Sequence, residues 1–397
     1  MANYELVRDE ACLMESGRMR CRRYGSHEVL PTTIASLRAD IKKFLATHTH
    51  DASKVYLVSK GSTYTRLWSH ADWHAHLSVW RYARHIFLWP TSTIAWRIFP
   101  VCCIVVCWAL AVKELAKSVR FRLELPFTCG LLFGQAITLL LTLRTNQSMA
   151  RLQEARAVFN KVVVTGRELG SLVSCYLKHE GISVIIARYV CMVGWTLKHL
   201  VRGEADESNL KIMLRDLIPI GDVEFVETSV SMPLALVRRA RMALSEAVDR
   251  GAVDRSSQRT IEIKLGLLGD LVGACEKILH SPSPPAYTRH TSRVLLVFLF
   301  IVPMGLADLN LPTHFLVLAS AFITYLLVGI EEIGVELEEP FRWLPLQQLC
   351  SQLLEDVLDE FSDAPPLPLP AADVPTSGNI PKTAVQNQLE ETMTFSS

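Results

Sequence analysis

Gln135, Leu139 and Leu143 recur at four-residue intervals, so in a helix one amide and two leucine side chains stand in a row on one face. The chemistry open to such a row is recognition without reaction. An amide in an apolar run must bond to a neighbouring helix or to water, because lipid offers no partner. The leucines either pack against another helix or line a narrow, easily dried water path. Spacing alone favours packing, since apolar stripes usually bury themselves. No reaction centre assembles from the other candidates. His70, His74 and His76 have the right chemistry for metal, and His70 and His74 share a helix face, but no cysteine or suitably spaced carboxylate completes a set. No metal or cofactor is therefore expected. No GxSxG, HExxH or phosphate-cradling glycine loop occurs, so a membrane enzyme would have only these histidines and the glutamates between Glu331 and Glu339 to work with.

The row must be positioned by the segment that contains it. Leu125 to Leu143 is uncharged and apolar, with Gln135 as its one strongly polar side chain. At Arg144 the chain turns abruptly charged and stays helix-favouring, as one continuous helix leaving a membrane for water would. Three further spans are expected, at Ile94–Val112, Thr291–Leu306 and Pro312–Ile330. Arg97 lies one turn inside the first and is expected to snorkel.

Composition agrees with a membrane protein that has a large aqueous part. Half of the 397 residues are hydrophobic while 20% are charged, and the mean hydropathy is +0.23. A net charge of +1 gives no argument for nucleic acid. The ten cysteines are scattered without a CxxC pair and imply no disulfide framework.

The expected fold class is an all-α membrane protein, with four transmembrane helices in two hairpins plus a helical aqueous domain. Residues 1–66 read as a soluble amino-terminal arm, and 67–143 as an interfacial segment with the first two spans. Residues 144–286 read as the helical aqueous domain, 287–331 as the last two spans, 332–363 as a post-membrane helical segment and 364–397 as a disordered tail. Trp, His and Arg crowd the stretch Trp68–Pro90, a composition suited to the membrane-water interface. Val184–Leu197 is apolar but short and carries Arg188, so it reads as a buried helix of the aqueous domain. Pro219–Asp222 reads as a turn, Ser231 as a helix cap ahead of Pro233, and SPSPP at Ser281–Pro285 as a helix break.

The run LTLRTNQSMARLQEAR is similar to the signature of the bestrophin family, approximately F-R-T-N-x-S-Y-x-R-x-x-E-A-R in its plant and bacterial branch. Arg144, Thr145, Asn146, Ser148, Arg151, Glu154, Ala155 and Arg156 match, while Leu143 and Met149 stand where that branch has Phe and Tyr. A second block, Tyr325–Phe341, resembles the family's last span and the Glu-Pro-Phe after it, and the resemblance covers roughly Trp68 to Leu358.

The resemblance implies a homopentameric anion channel for chloride or bicarbonate in a lipid bilayer, with the second span of each subunit facing a central pore. Gln135, Leu139 and Leu143 would then ring the neck, with Leu143 placed by lying eight residues before Arg151. Val230, three before Pro233, would set a second constriction in the aqueous domain. Gln135 departs from the apolar residue usual there and implies a wetter outer neck. Arg342 and Trp343 stand where the animal branch has calcium-binding acids, so no calcium clasp of that kind is expected. The Arg-Thr-Asn form leans toward the plant thylakoid branch, with the plasma membrane as the other location. The alternative to a channel is a non-conducting membrane scaffold or assembly factor, with a membrane enzyme ranked below it.

Overall fold

A computed structural model of the chain describes residues 11–15, 18–22, 33–58, 67–89, 92–118, 127–203, 207–309 and 312–361. The expected tail at 364–397 lies outside them, as do residues 119–126. Two short antiparallel strands come first, β1 (Ala11–Glu15) and β2 (Arg18–Arg22). Every other element is helical among the described residues: α1 (Ile34–Val58), α2 (His70–Leu77), α3 (Arg81–Phe87), α4 (Thr93–Ser118), α5 (Phe127–Tyr176), α6 (Glu180–Arg202), α7 (Glu207–Leu217) and α8 (Ile220–Glu227). They continue as α9 (Met232–Asp249), α10 (Arg255–His280), α11 (Pro285–Asp308), α12 (Thr313–Glu338), α13 (Pro340–Trp343) and α14 (Leu346–Glu360).

The helix α5 organises the rest. Its 50 residues extend about 75 Å at 1.5 Å per residue. Ile137, Leu141, Arg144, Ser148, Ala155, Phe159 and Val162 are buried, at the three-, four- and seven-residue intervals that keep them on one face. That face crosses two separate cores. In the first, Ile137 and Leu141 meet Ile98 and Val105 of α4, Leu295, Phe298 and Leu299 of α11, and Val328 of α12. In the second, Phe159, Val162, Leu169 and Val173 meet α6, α10 and α14, and α9 joins the same core. The first core is small, and its helices turn large apolar side chains outward, among them Phe99, Ile104, Phe322 and Leu326. The second is much larger and encloses a few charged side chains, Arg188 and Asp222 among them. The chain is thus a membrane bundle and an aqueous bundle threaded by one helix.

Among the described residues, four helices are long and apolar enough to cross a membrane by length and composition: Thr93–Leu115, Glu180–Arg202, a stretch within Arg255–Ala307, and Thr313–Glu338. Glu180–Arg202 qualifies on hydropathy, yet 83% of its apolar window is buried inside the protein. It is apolar nearly all round because partners surround it. Its Arg188 is 1% exposed and donates to Asp40 Oδ2 at 2.7 Å, which carries α1 into this core beside Leu37, Ile41 and Phe44. The stretch read as a separate amino-terminal arm therefore supplies a helix to the aqueous bundle. The span partner of α4, α11 and α12 is the first half of α5, which shares their core.

Two close approaches show how α14 seats. A Cβ on Gly166 would lie 2.8 Å from Leu353 Cδ1, and one on Gly170 would lie 3.2 Å from Val357 Cγ2. A side chain at either position would push Leu353 or Val357 aside, so glycine lets α14 seat here without a shift.

Three local expectations change. Pro219–Asp222 is the start of α8, with Pro219 as its cap and Asp222 in its first turn, because proline is as well suited to a helix start as to a turn. Ser231 does occupy the cap position of α9, but its hydroxyl donates to Glu276 Oε1 at 2.9 Å instead of capping the backbone. The SPSPP break holds, yet its last proline already opens α11, six residues before the expected Thr291.

Candidate functional site

Gln135, Leu139 and Leu143 lie on the outer face of α5, opposite its buried stripe. Leu139 is 61% exposed and Leu143 is 47% exposed, so neither belongs to a buried core of its own chain. Gln135 is exposed as well and makes no hydrogen bond among the described residues. Thr138 and Thr142 share this side but return their hydroxyls to Gly134 O and Thr138 O at 2.8 Å, which a threonine in an apolar helix can do. Glutamine cannot satisfy its whole amide that way. Asn146, Glu154 and Arg156 carry the exposed side on into the aqueous half.

Just below the row, the buried face carries charge. The Arg144 side chain is 3% exposed and pairs closely with Glu331 Oε1, with Glu338 Oε1 at 3.3 Å. Glu331 also accepts from Ser292 Oγ at 2.5 Å. Glu331 and Glu338 are seven residues apart, two turns along one face of α12, so both reach one guanidinium. Four residues apart on another face, Glu332 and Glu336 meet Arg97 of α4 at 3.9 and 3.0 Å. Arg97, expected to snorkel, finds its anions within the protein. Arg97 opens one span, Arg144 closes the next, Ser292 opens the third and Glu331 closes the fourth. Their meeting puts these four ends on one side of the bundle, as two hairpins require.

Arg151 has a different task. It donates to Glu338 O at 3.0 Å and closely to Ile278 O and Ser281 O. The last carbonyls of a helix lack intrahelical partners, and a guanidinium there satisfies several at once. Arg151 thereby fastens the ends of α10 and α12 to α5. Arg151→Met should cost about 1.5–3 kcal/mol per charged hydrogen bond lost without replacement, read as a lower thermal midpoint of the detergent-solubilised protein. A midpoint equal to the parent's would refute this anchoring role.

Val230 projects from the loop between α8 and α9 with 105% relative exposure, as open as a residue can be. It is some ninety residues along the chain from the exposed row on α5. Sequence reasoning named the span-exit glutamates without their partners. The signal available was the matching of two acid pairs, each on its own face of α12, to two arginines at span ends.

His70, His74 and His76 lie on α2, where His76 stacks edge-on to Trp68 at 5.2 Å. No group of three His, Cys, Asp or Glu forms a metal cage among the described residues. Ser69 and Asp72 form a capping box at the start of α2. Trp73, Trp80, Phe87 and Trp89 nearby are all more than half exposed, and Arg81 and Arg84 lie between Trp80 and Phe87 in the chain. In the aqueous core, burial pushes the Cys191 and Cys275 thiols up to about 12, so they behave as small hydrophobes.

A voltage-dependent chloride channel 2, chloroplastic, of Arabidopsis thaliana is 27% identical over 307 residues, spanning 73% of this chain and 72% of the plant protein. A voltage-dependent anion channel-forming protein of Synechocystis is 26% identical over 296 residues, 70% of this chain and 93% of that one. The crystal structure of a bacterial bestrophin homologue from Klebsiella pneumoniae superimposes with a TM-score of 0.59 at 24% identity, covering 66% of this chain and 98% of that structure, a likeness of fold. The model of the bacterial/fungal bestrophin proteins matches residues 72–359, most of the chain, with Arg144, Arg151 and the span-exit glutamates inside it, and the protein belongs to the bestrophin family.

Proposed function

We propose that this protein is an anion channel, built as a homopentamer with the outer face of α5 lining a central pore. The observation that carries this reading is the contrast between outward faces. On α12 the outward residues are Phe315, Leu318, Phe322, Leu326 and Ile330, a surface for lipid. On α5 the corresponding face holds Gln135, whose exposed amide has no partner among the described residues, in a row with Leu139 and Leu143. Such a face suits a water path between copies better than acyl chains. Leu139 and Leu143 make a hydrophobic constriction that gates by dewetting, and Gln135 offers N–H donors to an anion at its outer end. Val230 forms a second constriction in the aqueous part. The names of the plant and cyanobacterial relatives support voltage-dependent transport of chloride or another anion such as bicarbonate. The plant relative's chloroplast designation supports a thylakoid location.

Gln135→Leu tests the neck. It should lower anion flux in liposomes roughly two- to tenfold, the range that loss of one hydrogen bond of about 0.5–1.5 kcal/mol allows. Unchanged flux would remove Gln135 from the conduction path. Absence of any anion flux from correctly assembled parent protein would instead favour a non-conducting scaffold.

A further inference from the structure

The loop Thr228–Ser231 is tied on every side except at Val230. Thr228 Oγ1 donates to Glu224 O at 2.8 Å and Ser229 Oγ to Val226 O at 2.6 Å, closing the end of α8. Behind the loop, buried Asp222 of α8 accepts closely from both Arg239 of α9 and Tyr189 of α6. This clamps α8 and α9 together across the loop. Phe225 lies under the guanidinium groups of Arg238 and Arg239, at 5.8 and 5.7 Å from its ring centre.

The bond from Ser231 is the odd one. A serine before a helix ordinarily turns its oxygen back to the first backbone N–H groups, which are otherwise unpartnered. Here the hydroxyl gives up that local cap and donates to Glu276 Oε1 at 2.9 Å, on α10. The end of α10 is in turn fastened by Arg151 through the carbonyls of Ile278 and Ser281. The loop is thus fixed to α5 through α10. We propose that Ser231 and Glu276 are positioning residues for the aqueous-domain constriction: their hydrogen bond sets how far Val230 reaches toward the pore axis, and so how large an anion passes. This rests on the reading of Val230 as a constriction.

The test is the permeability of thiocyanate relative to chloride, from reversal potentials of the full-length protein in planar bilayers. Val230→Ala, Ser231→Ala, Glu276→Ala and Glu276→Gln are compared with the parent, each first matched to it in oligomer size by chromatography. Val230→Ala, Ser231→Ala and Glu276→Ala should each shift the ratio about twofold or more, in one direction. Glu276→Gln keeps a carbonyl acceptor for the Ser231 hydroxyl and should retain the parent ratio. A purely structural role would change the yield of assembled protein and leave the ratio alone. A shift in Val230→Ala with none in Ser231→Ala and Glu276→Ala would overturn the positioning role. An equal shift in Glu276→Gln and Glu276→Ala would also overturn it, by making charge the cause. No shift in Val230→Ala would bring down the constriction reading and this inference with it.

Discussion

Leu143→Ala is expected to raise anion flux through the reconstituted protein on the order of tenfold, the change that about 1.4 kcal/mol off a barrier produces. Leu143 is the last residue of the apolar row before Arg144 and is half exposed in the single chain. In the proposed pentamer, five such side chains meet where water must stay continuous for an ion to pass. A leucine-lined constriction dewets, and cutting each side chain back to a methyl both widens it and lowers the cost of filling it with water. Because Leu143 is half exposed and lies outside the buried cores of its own chain, its truncation leaves no closed cavity there, and assembly should survive. Liposome flux with chloride, bicarbonate and potassium checks the prediction. Flux of the two anions should rise while potassium stays near background. A flux no greater than the parent's, from protein of parental oligomer size, would mean that the narrowest point lies elsewhere.

Glu331→Ala should have the largest effect on stability. The Arg144 side chain is 3% exposed, and Glu331, itself 9% exposed, is its closest anion. Removing one partner of a buried pair typically costs about 3–5 kcal/mol, because the remaining charge is left in a poorly solvating place. Glu338, 3.3 Å from the same guanidinium, remains and places the expected loss at the lower end, about 3 kcal/mol. Ser292 would lose its acceptor as well. The measurement is the thermal midpoint in detergent, together with the fraction recovered as intact oligomer. The pair Arg144→Met with Glu331→Leu should recover most of the loss, since an apolar pair of similar volume carries no desolvation cost. If the single variant melted with the parent, or the double variant melted below the single, the ion pair would not be what locks these span ends.

Much of this organisation is written locally and was legible in the chain. The change from apolar to charged composition at Arg144 marks where α5 leaves the membrane bundle, because length and hydropathy are properties of one segment. The four-residue spacing of Gln135, Leu139 and Leu143 puts them on one face by helix geometry alone. Arg188 inside an apolar stretch identified α6 as a buried helix, since an arginine there needs a protein partner. The motif LTLRTNQSMARLQEAR and the block ending in Glu-Pro-Phe carried the family.

Pairing between distant segments was not legible, because spacing says which residues share a face and nothing about what that face meets. Only the folded chain brings Arg144 to Glu331, 187 positions away, and Arg97 to Glu336, 239 positions away. The same limit explains Ser231. Its sequence neighbours predict a local cap, and the approach of α10 supplies a carboxylate that takes the hydroxyl instead. It also explains α1, whose polar composition hid the three buried residues Leu37, Ile41 and Phe44, and whose Asp40 becomes informative only beside Arg188. The sequence by itself determined the spans, the faces of the long apolar helices and the family. Tertiary packing decided which faces are spent inside the chain and which, like the row on α5, are left for water or another copy, because burial is a property of the assembled whole.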